Sequence, residues 1–138
     1  MIVMIDTCVV LDYLLDREPF VYDAEKLLVK VAEEEIQGLI TVKSLMDIHY
    51  ILKHTLHKEE KVRDTITTLL DSLMLVDSTA EDAIRALSSR ITDYEDALMV
   101  ETANSCNCDR IITRNKKDYK NSNVLVMTPA EFLKRNMQ

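Results

Sequence analysis

The chain has 138 residues, of which 47% are hydrophobic and 30% charged, with one Gly and two Pro. This composition suits a globular protein of one-domain size and excludes a disordered or low-complexity chain, and so few Gly and Pro leave little room for long irregular loops. With 17 Lys and Arg against 24 Asp and Glu, the net charge of −7 is the wrong sign for a protein that grips nucleic acid by phosphate neutralisation alone.

Residues 1–5, Met1-Ile2-Val3-Met4-Ile5, are apolar with high β-propensity and read as a strand buried on both faces, as in a parallel sheet. Asp6 and Thr7 follow at its carboxyl end, placed to cap a helix over 8–15. Arg17-Glu18-Pro19 ends that helix, and Pro19 is expected to begin a second one reaching about Ile36, with Ala24, Leu27, Leu28, Val31 and Ala32 at helical spacing. A strand over 38–42, a helix over 44–57, a helix over 59–73 and a strand over 73–76 come next. Ser78-Thr79-Ala80-Glu81 reads as a capping box opening a helix through Ser88, and Thr92-Asp93 opens another to about Asn104. Strands at 111–113 and 124–126 precede Thr128-Pro129-Ala130-Glu131, a capping box with proline at the first helical position. Strands alternating with helices, with no linker or repeat, predict one domain over 1–138: a three-layer α/β/α sandwich around a mostly parallel sheet.

No apolar run reaches the length of a membrane span and no basic region precedes the first apolar stretch, so a cytoplasmic location is expected. Cys8, Cys106 and Cys108 are odd in number and form no disulfide framework, and Cys106-Asn107-Cys108 is too tight for the usual zinc pairing; structural thiols are expected. His54 and His57 have one-turn spacing, but His49 and His54 diverge around the helix, which disfavours a zinc site.

In an open parallel sheet, ligands bind beyond the carboxyl ends of the strands. Four segments place acids at that rim: Asp6 after the first strand, Asp47 in the first turn of the third predicted helix, Asp93 with Asp96 at a later helix start, and Asp118 shortly after Thr113-Arg114-Asn115. Each acid also has a local alternative. Asp6 and Asp93 are good helix caps, Asp96 complements a helix dipole, Asp47 closes a capping-box variant with Ser44, and Asp118 suits a solvated turn. Carboxylates gathered together, with few cations among them, raise one another's pKa and call for a bound cation. Mg2+ or Mn2+ fits an all-oxygen donor set, and phosphodiester hydrolysis follows most directly from it. The cation also answers the charge objection, because it supplies the positive site that a phosphate needs.

These segments resemble the motifs of PIN-domain proteins. Ile5-Asp6-Thr7-Cys8-Val9-Val10-Leu11-Asp12 resembles their opening motif, Asp93-Tyr94-Glu95-Asp96-Ala97-Leu98 the third acidic motif, and Ile112-Thr113-Arg114-Asn115-Lys116-Lys117-Asp118-Tyr119 the fourth. The helix containing Ser44-Leu45-Met46-Asp47 sits where the family carries its second acid. The resemblance runs from Ile2 to Phe132. It implies a PIN-like sandwich and a Mg2+- or Mn2+-dependent endoribonuclease acting on RNA. For small members similar to VapC, it further implies the toxin of a toxin–antitoxin pair, with an antitoxin partner and often a homodimer. By position, Asp6, Asp47 and Asp96 would hold metal and serve catalysis, with Asn115 or Asp118 completing the site and Thr7, Asp93 and Thr113 supporting it. Arg114, Lys116, Lys117 and Lys120, which flank the fourth motif, are the expected local basic patch for the RNA backbone.

The chain departs from the family pattern at Cys8, where asparagine is usual, at Asp47, where glutamate is common, and at Asn115, where many relatives have aspartate. Cys8 and Asn115 motivate one alternative, a degenerate, non-catalytic PIN domain acting as an RNA- or protein-binding module. Aspartyl-phosphate phosphatases also begin with a strand ending in aspartate, but they need a second aspartate where this chain has Cys8. A phosphoreceiver domain needs paired acids near the first strand, which are absent.

Overall fold

A computed structural model describes residues 1–136. Strands β1 (Ile2–Ile5), β2 (Gln37–Thr41), β3 (Met74–Val76), β4 (Arg110–Ile112) and β5 (Leu125–Met127) form one sheet in the order β3-β2-β1-β4-β5. Every neighbouring pair is parallel. The helices are α1 (Thr7–Leu14), α2 (Val21–Ala32), α3 (Val42–Leu56), α4 (Glu59–Leu69), α5 (Ala80–Ala86), α6 (Tyr94–Ser105) and α7 (Pro129–Asn136). A 3-10 turn, Lys116–Tyr119, lies between β4 and β5.

β1 is apolar throughout because successive side chains enter two different cores. Val3 and Ile5 pack with Ile40 and Ile112 under the residues of α1, α2, α3, α4 and α7, including Val10, Leu27, Ile48, Val62 and Phe132. Met4 points the other way, joining Leu39 and Ile111 beneath Ala86 of α5 and Ala97, Val100 and Ala103 of α6. Helices on both faces of a parallel sheet make the predicted three layers. Gly38 sits where α2 and the segment before β3 close on the sheet: a Cβ there would lie 2.8 Å from Leu73 Cδ2 and 2.9 Å from Val31 Cγ2.

Several boundaries differ from the sequence reading for local physical reasons. Pro19 does not open the second helix; it lies in the preceding turn, and α2 runs from Val21 to Ala32, short of Ile36. β2 stops at Thr41 because Thr41 caps α3, its hydroxyl accepting the Ser44 N–H at 3.0 Å. Ser44, read as the cap, is buried and accepts the Thr41 hydroxyl at 3.1 Å. The capping box of α5 is Thr79 with Asp82, one residue on from Ser78 and Glu81; the Ser78 hydroxyl instead meets that of Thr102 at 2.7 Å. The box at Thr128 and Glu131 forms as expected, with bonds of 2.9 and 3.1 Å. With glycine scarce, Asp16, Glu34, His57, Asn107 and Asn121 take the positive-φ turn positions, at 50°, 60°, 58°, 55° and 77°. No helix among the described residues is long and apolar enough to cross a membrane.

Candidate active site

The chain leaves β1 with β2 on one side and β4 on the other, so the sheet's topological switch point lies between β1 and β4. Asp6 stands there. Its N–H donates to the Ile112 carbonyl at 3.0 Å, so its backbone continues the ladder one residue past β1. Its carboxylate also caps α1: Oδ1 accepts the Thr7 N–H at 2.8 Å. Oδ2 accepts the Thr113 hydroxyl at 2.8 Å and the Tyr119 hydroxyl at 3.0 Å. Thr7 therefore supports Asp6 through its backbone, and Thr113, fully buried behind β4, supports it through its side chain. Asn115 is exposed and contributes a backbone N–H to the Thr113 oxygen at 3.1 Å.

α6 brings the third acidic segment to the same rim. Asp93 caps the helix by accepting the Asp96 N–H at 3.0 Å, so its capping role and its place at the rim coexist. Burial, then the charges of Asp93, Asp6 and Asp118, push the Asp96 carboxyl up from 3.8 to about 6. The rim thus carries concentrated negative potential from three segments, with Asp96 at its centre. Asp118 belongs to the 3-10 turn and is exposed, while the adjacent Tyr119 is buried.

Asp47 behaves differently. Its side chain accepts from Lys43 Nζ at 2.6 Å, and the same ammonium reaches Glu95 at 3.1 Å. Burial works to lower the Lys43 pKa, but Asp47 and Glu95 outweigh it and hold it above the normal lysine value. Lys43 is the cation the sequence reading did not weigh, and it ties the second acid to the α6 N-terminus rather than leaving it among Asp6 and Asp96. Among the described residues, no three Asp, Glu, His or Cys side chains close on a single point.

Two of the four expected RNA-binding cations are also engaged within the chain. Arg114 makes a two-pronged pair with Asp12, at 2.6 and 3.0 Å, and stacks 4.2 Å from the Phe20 ring centroid. Asp12 is only 1% exposed, so this arginine neutralises a buried charge, with Arg17 further off at 3.8 Å. Lys116 grips both oxygens of Glu131 at 2.9 and 3.0 Å, tying the 3-10 turn to α7. Lys117 and Lys120 are exposed. The Cys8 thiol, 3.6 Å from the Thr113 hydroxyl, is pushed up by burial and by Asp6. Burial pushes Cys108 to about 12 and raises Cys106, so neither is a ready thiolate. His49 pairs with Glu59 at 2.8 Å and His54 with the Tyr50 carbonyl at 2.8 Å, away from the acids.

Asp12, Lys43 and Tyr119 are the residues the sequence reading left without a role. Asp12 and Tyr119 were within its motifs, and Lys43 stands four residues before Asp47, a spacing at which helical charges pair.

An all-parallel sheet with this strand order, carrying acids at its switch point, defines an α/β protein with an acid-lined rim where such folds bind their ligands. A family profile described as PIN domain matches residues 2–117, and the chain belongs to the PIN-domain family. Its fold is shared by a chain of the VapBC2 complex from Rickettsia felis bound to a promoter DNA fragment, at a TM-score of 0.70 and 20% identity, covering 93% of this chain and 98% of that one. It is also shared by a chain of a Klebsiella pneumoniae toxin–antitoxin complex, at 0.68 and 23%, covering 92% and 97%. A third likeness is to VapBC-1 from nontypeable Haemophilus influenzae, at 0.65 and 15%, covering 94% and 99%. No curated protein matches significantly in sequence.

Proposed function

We propose that this protein is a Mg2+- or Mn2+-dependent endoribonuclease that hydrolyses RNA phosphodiester bonds, and that it acts as the toxin of a toxin–antitoxin pair. The observation that carries the reading is the convergence of acids from three segments at the sheet's switch point, Asp6 after β1, Asp93 and Asp96 at the start of α6, and Asp118 in the 3-10 turn; burial and then the charges of Asp93, Asp6 and Asp118 raise the Asp96 carboxyl there. The donor set fits a hard divalent cation, because it is all oxygen and its charge is concentrated at one rim. Asp6 and Asp96 would hold it, with Asp118 nearby and Asp47 joining after release from Lys43. Such a cation supplies an activated water and neutralises charge on the phosphate. The chain's own residues do the rest. Thr113 orients Asp6, Asp93 fixes the first turn of α6 beneath Asp96, and Lys117 and Lys120 receive the backbone on the exposed side of the 3-10 turn.

Membership of the PIN-domain family and the likeness to chains of toxin–antitoxin complexes support a protein antitoxin as partner. A homodimer is supported by the exposed apolar stripe Val42, Met46 and Tyr50 along α3, and sedimentation of wild type against Met46→Glu tests it. The deciding experiment is RNA cleavage with Mg2+, with Mn2+ and with chelator. Cleavage that survives chelator, or no cleavage with either metal, defeats the proposal. The second reading, a non-catalytic binding module, is favoured by one observation, the engagement of Asp47 by Lys43. It expects no Mn2+-dependent rise in thermal midpoint.

A further inference from the structure

We propose that Tyr119 is a positioning residue of the acid site, its hydroxyl locking the Asp6 carboxylate so that Oδ1 is left to face a divalent cation. The inference rests on the metal-dependent reading above and assigns a role to a side chain that lies outside the acid set. An ionised carboxylate offers about four acceptor positions. On Asp6, three are filled: one on Oδ1 by the Thr7 N–H at 2.8 Å, and two on Oδ2 by Thr113 at 2.8 Å and Tyr119 at 3.0 Å. Oδ2 is therefore saturated, and the remaining position lies on Oδ1.

The two donors to Oδ2 come from different elements, Thr113 just after β4 and Tyr119 at the end of the 3-10 turn. Two donors on separate supports fix the carboxylate's rotation, which a single hydrogen bond would leave adjustable. Tyr119 is well suited to the task. Its side chain is buried, so packing fixes the ring, and a phenol keeps its proton at neutral pH and donates it. The same hydrogen bond anchors the 3-10 turn that carries Asp118 to the end of β1.

Tyr119→Phe keeps the ring and its packing and removes only the hydroxyl. The test measures Mn2+ affinity of the full chain by titration calorimetry, alongside the thermal midpoint in chelator. The expected result is a Mn2+ Kd raised about tenfold, with RNA KM unchanged at saturating Mn2+. A Kd within twofold of wild type overturns the proposal, and a lowered midpoint with unchanged Kd does so by assigning the hydroxyl to packing alone. If wild type itself binds no Mn2+, the metal-dependent reading has failed and this inference falls with it. If wild type binds and Tyr119→Phe binds equally, only the role of Tyr119 is refuted.

Discussion

Replacing Asp96 by asparagine removes one negative charge from the rim while leaving the α6 cap intact, because the cap bond uses the Asp96 backbone N–H. The carboxyl is raised from 3.8 to about 6 in the fold, so the folded chain holds this proton more tightly than the unfolded chain does. Stability from this group is full below about pH 4 and is lost as pH rises through about 6. A displacement of that size corresponds to about 3 kcal/mol at the limit, and solvent screening of a half-exposed carboxylate reduces it to about 1–2 kcal/mol. Asp96→Asn should therefore stabilise the protein in chelator at pH 7.5 by about 1–2 kcal/mol, a rise of about 3–7 °C in midpoint for a chain of this size. The advantage should shrink below pH 6 and vanish near pH 4. Calorimetric melts of both proteins across that range provide the measurement. Adding Mn2+ should reverse the order, since ligand binding stabilises only the form that binds it. A pH-independent difference, or no gain at pH 7.5, would refute the claim that the other acids bear on Asp96.

Asp6→Asn should abolish cleavage at saturating Mn2+, whereas Asp118→Asn should retain about a tenth to a hundredth of activity; equal loss in both would promote Asp118 to an indispensable ligand. Arg114→Ala should destabilise the fold by about 3 kcal/mol, because it leaves the buried Asp12 carboxylate with only the looser Arg17 contact at 3.8 Å. Urea melts measure this, and Arg114→Lys should recover little, since an ammonium cannot reproduce the two-pronged pair. Lys117→Ala with Lys120→Ala should weaken RNA binding and reduce the slope of log affinity against log salt by about 1–2, while Lys116→Ala should change that slope least because Glu131 already engages it.

What the sequence revealed depended on the range of the interactions involved. Asp6 was legible because a short apolar strand ending in an acid places that acid at a sheet edge, and the sheet then fixes it. The cap at Thr128 was legible because all of its partners lie within one turn. Thr79 and Thr41 were missed by small margins. Ser78 competed with Thr79 for the same signal, and Val42 extends the apolar pattern of β2 past the residue that ends it. Arg114, Tyr119 and the Glu95 half of the Lys43 pairing were out of reach for a different reason, although Lys43 and Asp47 stand at helical pairing distance. Arg114 finds Asp12 at a separation of 102 residues and Tyr119 finds Asp6 at 113. Lys43 is held between Asp47 and Glu95, the latter 52 residues away. An arginine and a tyrosine beside three lysines read locally as a solvated basic turn; only the docking of that turn on α1 shows them to be internal partners of acids.

The five left-handed residues have a practical consequence. This chain keeps its one glycine inside β2 and lets larger residues take turn positions that glycine would occupy without strain. The left-handed conformation costs a residue with a Cβ about 1–2 kcal/mol, whereas glycine costs about 0.5–1 kcal/mol more in lost chain freedom. Glu34→Gly and His57→Gly should each leave a small net gain. Both residues are exposed. Glu34 precedes β2 and His57 follows α3, so both lie at the end of the sheet opposite Asp6. At these two turns, unlike at Asp96, heat resistance can be raised at the pole away from the acids, leaving the site undisturbed.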